Sequence, residues 1–359
     1  MINIQVIQRA QDFLKTISRN DRVAIIHDTD PDGVFSAVII AKCIEKLRGK
    51  RIELHIPLEK EQYGITERMI KQIQKHKITK LIALDFSAEQ NLPALKTIEK
   101  QADILVIDHH KIYTDYQTKK TILYKPQYFT KIEPSTYCTA KLAYDLTGRL
   151  TNVSDLDWMA ATACIADIAT APWKDWLSKI FQKYNIKKEK EFFKTKLGKI
   201  AAIICSLEVY DVRLIPEYYK TIYKTKKPDD IFKSKLGKYN KIIDNELNKH
   251  IRLFKTKAKK HGELYIYEMS SKYRIHSPVS TLLALKNPHK TIIIINKTNK
   301  LIAVSARRED SKIAVNKLLE NAIKGFKNAN AGGHTPAAGA GFPKKYLKKF
   351  KERIVKTYE

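Results

Sequence analysis

His27-Asp28-Thr29-Asp30-Pro31-Asp32-Gly33 decides how this chain is read. An apolar run, Val23-Ala24-Ile25-Ile26, leads into it, and Gly33 opens a second run, Val34 to Ala41, of helical character. The pattern is a buried strand, a polar loop and a helix. Asp28, Asp30 and Asp32 occupy alternate positions, so in an extended segment their side chains share one face at the strand's end. Carboxylates held so close repel one another unless cations bind them. Donor sets made of oxygen favour hard ions such as Mg²⁺ or Mn²⁺. The plainer alternative is a loop in which one aspartate caps the helix and the others are solvated.

The neighbouring segments support the first reading. Val23–His27, Ile52–Pro57, Leu81–Leu84 and Ile104–Ile107 read as strands, with helices at Val34–Leu47, Ile65–His76 and Leu92–Gln101 between them. Alternation of this kind predicts a parallel, doubly wound sheet, and such sheets bind ligands beyond the carboxyl ends of their strands. Asp28, Asp85 and Asp108 each follow an apolar strand at that end. Asp108-His109-His110 adds two imidazoles to the same rim; neutral imidazole ligates Mn²⁺-like ions, and a second one can contact a phosphate oxygen. Further on, Leu156 to Ala171 reads as one helix of small apolar residues with Asp167 inside it. An aspartate there is costly unless it is paired or bound to a metal.

From residue 186 to 260 the character changes, with 21 Lys/Arg against 9 Asp/Glu across 187–260. We read a basic helical extension and connector there, its tyrosines (Tyr210, Tyr218, Tyr219, Tyr223, Tyr239) mostly packing between helices rather than stacking on bases. Strand signals resume at Glu263–Glu268, Thr291–Asn296 and Leu301–Ala306, followed by a helix at Ile313–Lys324, a glycine-rich turn around Gly332-Gly333-His334, and a basic helix from Lys344. The chain thus divides into 1–185, 186–260 and 261–359: a doubly wound α/β domain, a basic connector and a smaller α/β domain, with a cleft expected between the two domains.

A net charge of +29, from 67 Lys+Arg against 38 Asp+Glu, favours a polyanionic partner, nucleic acid first. The alternative is a lysine-rich surface that is merely solvated. No apolar stretch is long enough to cross a bilayer, and residues 1–20 read as an amphipathic helix without a signal core, so the chain reads as cytoplasmic with no membrane partner. Cys43, Cys138, Cys164 and Cys205 lack metal-knuckle spacing and read as buried free thiols.

In this order the motifs resemble the DHH phosphoesterase superfamily: Asp28-x-Asp30-x-Asp32-Gly33, a strand-end Asp85, Asp108-His109-His110, and Asp167 in a small-residue helix. The last hundred residues resemble the family's companion DHHA1 domain, through Gly332-Gly333-His334 and Ser305-Ala306-Arg307-Arg308. The combination is similar to the RecJ-type exonucleases, the short archaeal RecJ-like ones in particular. The resemblance implies two divalent ions, Mn²⁺ or Mg²⁺. Asp30 would hold one and Asp32 the other, Asp85 would bridge them, and His109 and Asp167 would join the ion on Asp32. His110 would contact the scissile phosphate, with Asp108 orienting the histidines. Ser305, Arg307 (Arg308 as second choice), Gly332, Gly333 and His334 would grip the substrate backbone. Some members carry a histidine ligand four positions before the first metal-binding aspartate. Ile26 stands there in this chain, and alternation turns His27 to the opposite face, so Asp28 or water would complete that shell. The family's usual third glycine is replaced by Ala331.

What the resemblance implies is a metal-dependent exonuclease on single-stranded DNA or RNA, releasing nucleoside monophosphates, in the 3′ to 5′ direction, with a helicase or a replication or repair protein as a partner. Two other readings stay open. One is a nano-RNA or cyclic dinucleotide phosphodiesterase using the same metals. The other is a non-catalytic replication or repair scaffold, against which stands the presence of every first-domain motif residue.

Overall fold

The computed structural model describes residues 4–59, 64–297 and 301–358 and divides into two compact units, Met1–Asn240 and Lys241–Glu359. In the first, helix α1 (Ile4–Lys15) buries Val6, Ala10, Phe13 and Leu14, the apolar side of the amphipathic start. Five parallel strands follow: β1 (Val23–His27), β2 (Leu54–Pro57), β3 (Lys80–Leu84), β4 (Asp103–Ile107) and β5 (Thr121–Tyr124). Their spatial order is β2-β1-β3-β4-β5. A parallel sheet is covered on both faces, so its strands read as unbroken apolar runs, and β1 is buried at all five positions.

Alternate side chains feed two cores. Ile25, Leu84, Leu105 and Ile107 face a layer that contains α1, α2 (Pro31–Arg48), α6 (Thr139–Gly148) and α7 (Asp157–Ala166). Ile26, Leu81, Ala83 and Val106 face α3 (Glu67–Lys75) and α4 (Leu92–Glu99). The short α5 (Pro126–Phe129) follows β5. The next helices are α8 (Lys174–Lys183), α9 (Lys196–Tyr210), α10 (Ile215–Lys224) and α11 (Pro228–Lys233), and α12 (Leu236–Lys257) carries the unit boundary within it.

The helical extension from 186 onward packs onto the first unit. Ile200, Ile204, Leu207, Ile215 and Ile222 pack into the same core as α2 and α7. Its lysines report the solvent side of these helices, which is why composition alone sets the region apart. Tyr218 and Tyr219 are buried in that core. A second difference lies at Asp167. Helix α7 ends at Ala166 and Asp167 is its C-cap, so the carboxylate stands at a helix end rather than mid-helix. Ile168, next in line, adopts φ +58° and terminates the helix.

The second unit has a mixed six-stranded sheet, ordered β10-β11-β9-β8-β7-β6. The strands are β6 (Lys259–His261), β7 (Leu264–Met269), β8 (Thr291–Lys297), β9 (Leu301–Arg307), β10 (Asn330–His334) and β11 (Ala337–Pro343). Only β7 and β8 run parallel to each other among the described pairs. Helices α13 (His276–Leu285), α14 (Val315–Ile323) and α15 (Leu347–Lys356) complete it. The segment expected as a glycine-rich turn is instead an antiparallel pair, β10 with β11. Gly333 makes the pairing possible: its φ is +137°, and a Cβ there would lie 2.5 Å from the Ala337 carbonyl oxygen.

Candidate metal centre

The strand order reverses between β1 and β3, and that is where a doubly wound sheet opens a crevice at its carboxyl edge. Register makes the crevice acidic. His27 pairs with Leu84 and Leu84 with Ile107, so Asp28, Asp85 and Asp108 stand one residue past a common row. Asp30 and Asp32 reach the crevice differently from the alternation expected. β1 ends at His27; Asp30 is the N-cap of α2, accepting from Gly33 N at 2.9 Å, and Asp32 sits in that helix's first turn. Gly33 is required here, because a Cβ would lie 2.4 Å from the Asp28 carbonyl oxygen.

Three overlapping donor groups result, each with its ligand atoms within 4.8 Å of one another: Asp28/Asp30/Asp85, Asp32/His109/Asp167 and Asp85/His109/His110. His109 Nε2 lies 3.6 Å from Asp85 and 3.5 Å from Asp167. Its Nδ1 faces the Pro134 carbonyl at 3.2 Å, which leaves Nε2 for a metal. Asp85 holds φ +65°, a left-handed backbone that aspartate tolerates, and accepts from Thr139 Oγ1 at 2.9 Å. Asp32 takes the Thr139 and Ala140 amides at 2.6 and 2.7 Å, so the N-terminus of α6 anchors both of its oxygens.

These carboxylates oppose one another. Burial, then the charges of Asp28, Asp167 and Asp32, raises Asp30 well above its ordinary value. Burial followed by Asp32 and Asp30 does the same to Asp85. Asp167 is pushed up to about 8, by burial first and Asp32 next. A pocket whose acids hinder one another's ionisation, and whose donors are carboxylate oxygen and imidazole nitrogen, fits hard divalent cations.

Asp108 behaves oppositely. Burial would raise its carboxyl, but the hydrogen bond to His110 Nδ1 at 2.7 Å and the Lys125 ammonium at 2.8 Å hold it ionised, below the usual carboxylate range. Burial lowers the His110 imidazole, yet its bond to Asp108 outweighs this and the net shift is upward. Lys125 is fully buried and also meets Glu89 at 2.6 Å. The sequence reading missed Lys125 and Glu89, as it missed β5; the signal was Thr121-Ile-Leu-Tyr between lysines, directly before Lys125. Glu208 on α9 also went unnoticed, and Thr29 Oγ1 lies 3.3 Å from it. His27 is turned away from the crevice: its Nδ1 contacts the Asp28 carbonyl and its Nε2 meets His55 Nε2.

In the second unit, Ala337 pairs with both Arg307 and His334, and Gly339 with both Ser305 and Gly332. Paired residues share a face, so Arg307 and His334 flank a strip of glycine and alanine. Gly333, one residue along, belongs to the other face. His334 is exposed, and Arg307 is partly exposed with Glu309 at 3.3 Å. Two expected backbone contacts are corrected. Arg308 is buried and held by Asp310 at 2.7 Å and Glu263 at 2.8 Å, so its guanidinium is structural. Ser305 is buried with its hydroxyl 2.7 Å from Ser280 Oγ.

The DHH family, N-terminal domain, matches residues 22–171, and the DHHA1 domain matches residues 270–359. In sequence the chain is similar to the single-stranded-DNA-specific exonuclease RecJ of Bacillus subtilis (strain 168), at 28% identity over 167 residues, 45% of this chain and 21% of that protein. In fold it is similar to RecJ of Thermus thermophilus in complex with Mn²⁺, with TM-score 0.71, 15% identity, and coverage of 99% of this chain and 55% of that one. An exonuclease RecJ bound to manganese gives TM-score 0.70 at 15% identity, covering 98% of this chain and 94% of that one. The chain therefore spans about a fifth of the Bacillus protein and about half of the Thermus one.

Proposed function

Because the chain belongs to the DHH family and joins the DHH domain to a DHHA1 domain in the RecJ-like manner, we propose that it is a metal-dependent phosphodiesterase that degrades single-stranded nucleic acid to nucleoside monophosphates. The observation that carries this reading is the set of three donor groups linked to one another through Asp85 and His109 at the switch point of the first sheet. Asp30, Asp85 and Asp28 would hold one divalent ion, and Asp32, His109 and Asp167 the other, with Asp85 between them. Mn²⁺ or Mg²⁺ bound there supplies charge stabilisation at phosphorus and an acidified water.

The protein's own groups do the rest. The amides of α6 fix Asp32, and Thr139 fixes Asp85, so neither carboxylate has to reorient. Lys125 keeps Asp108 charged, and Asp108 holds His110 by Nδ1, leaving Nε2 for a phosphate oxygen. On the second unit, Arg307 would take a backbone phosphate, bidentately where geometry allows, beside the exposed His334. The +29 charge favours a long polyanion over a small substrate.

The test is Mn²⁺-dependent digestion of end-labelled single strands, DNA and RNA, at about 5 and about 30 nucleotides. Mononucleotides from long strands, with a ladder shortening from the 3′ end, are expected. Cleavage confined to the short oligomers would replace this reading with a nano-RNA or dinucleotide phosphodiesterase. Tight binding without cleavage would replace it with a scaffold.

A further inference from the structure

A cavity of about 470 Å³ lies beside β2, the edge strand of the first sheet, where α10 packs against it. Its volume falls within the range of small-ligand sites. Tyr219 and His55 form part of its wall, ring to ring at 3.7 Å, with Pro216 and Tyr223 continuing the apolar lining. Tyr219 is buried, yet among the described residues its hydroxyl has no hydrogen-bond partner. Lys220 and Lys224 line the same cavity one helical turn apart, so their ammonium groups share an edge of α10. Both are exposed, and among the described residues neither has an acidic partner. Arg51, in contrast, is already engaged by Glu45 and lies over the Tyr223 ring.

A lining that includes His55, Tyr219 and Tyr223, with a pair of uncommitted cations at one side, describes a ligand with an aromatic ring and an anionic tail. We propose that this cavity is a second nucleotide site, separate from the metal centre: a base lies against the Tyr219–His55 wall and its phosphate between Lys220 and Lys224. The choice of a nucleotide among aromatic phosphates rests on the nuclease reading; the existence of the site does not. The nucleotide is either a free monophosphate or one unit of a bound strand. Through His55, the wall touches His27, whose Nδ1 meets the Asp28 carbonyl, so the site adjoins the metal rim from behind.

The experiment is equilibrium dialysis of the full chain with AMP in Mn²⁺ buffer at physiological salt, repeated with a phosphorothioate decanucleotide that resists hydrolysis. Wild type should bind two AMP. Lys220→Ala/Lys224→Ala should keep one, with the Kd of the lost site raised at least about tenfold. Asp32→Asn should also keep one, the complementary one. If the metal centre takes no AMP, wild type binds one and the lysine double variant none, which tells failure of the nuclease reading apart from failure of this one. If only the decanucleotide responds to the lysine substitutions, the ligand is a strand. Unchanged stoichiometry and affinity for both ligands in Lys220→Ala/Lys224→Ala would overturn the site, and a cavity filled with water alone in a crystal grown with AMP would do the same.

Discussion

At the rim of the first sheet, Asp32 takes two backbone amides, Asp85 a threonine hydroxyl and Asp108 a buried ammonium. At the β9–β11–β10 end of the second sheet, Arg307 has one acidic neighbour at 3.3 Å and a strip of glycine and alanine beside it. The first region fixes these three carboxylates before any ligand arrives. The second leaves its charged groups able to follow one. Rigid placement suits ligands that must hold small ions at set distances, and a loosely tethered arginine suits a backbone that moves past it. The difference teaches where substitution should be felt as lost chemistry and where as lost grip.

The largest effect should follow Asp85→Asn. Asparagine accepts the same left-handed backbone and keeps the Thr139 contact, so the change removes charge with little loss of shape. Strand hydrolysis should fall about 10⁴-fold, the scale of several kcal/mol that a divalent ion contributes to such a displacement. Thermal unfolding of the metal-free variant should occur at a higher temperature than in wild type, because one of the mutually repelling carboxylates is gone. A loss of less than tenfold would deny Asp85 its place between the ions.

Next comes Lys125→Met. It leaves the buried Glu89 without its cation and Asp108 with His110 alone, which should cost about 3–5 kcal/mol in urea unfolding. Adding Glu89→Gln should restore part of that stability. If Lys125→Met unfolds like wild type, the rim is less constrained than its ion pairs indicate.

Metal addition should have a smaller effect, and one that grows with pH. Asp30, Asp85 and Asp167 bind protons more tightly in the folded chain than in the unfolded one. Between the unfolded carboxylate value and the folded one, the native state holds the extra protons, so metal-free stability falls as pH rises. For Asp167 that window runs from the ordinary carboxylate value up to about 8. Mn²⁺ at about a hundred times its Kd should stabilise by about 2.7 kcal/mol. Scanning calorimetry should find a larger Tm increment at the alkaline end of the window than at the acidic end. An increment independent of pH would separate the proton load from the metal site.

On the second sheet, Arg307→Ala should weaken binding of a long strand about tenfold, as expected for one charge-assisted contact, and leave cleavage of a dinucleotide nearly unchanged. Equal losses on both substrates would make Arg307 part of the rigid class after all.

The two regions also differ in how much of them could be read from the chain. Asp28, Asp85 and Asp108 were legible because each interrupts an apolar run at the same point, and strand register then aligns them. Asp167 was legible as an acid among alanines, although its place at the helix end was not. Lys125 was hidden among 67 basic residues, since burial of a cation leaves no mark in composition. Arg307 and Arg308 are chemically identical in sequence; only the sheet tells which one faces the open strip and which one is locked to Asp310 and Glu263. The α6 amides that grip Asp32 could not be foreseen either, because backbone donors carry no residue signature.

The smallest effect concerns the seam between rigid rim and solvent. Ile168 follows Asp167 with φ +58°, and the residue is 75% exposed. A β-branched residue in the left-handed region is strained, by about 1–2 kcal/mol, and exposure leaves little packing to offset that. Glycine reaches the same conformation freely but loses more chain entropy on folding. Ile168→Gly should therefore stabilise the metal-free chain by about 0.5–1 kcal/mol, a rise in Tm of a degree or two. The same change slackens the turn that aims Asp167 towards His109 and Asp32. Apparent Mn²⁺ affinity should fall about twofold to fivefold while stability rises. A gain in stability with unchanged Mn²⁺ affinity would show that the strained turn has no part in holding the rim, and would move Asp167 to the less constrained side of the comparison.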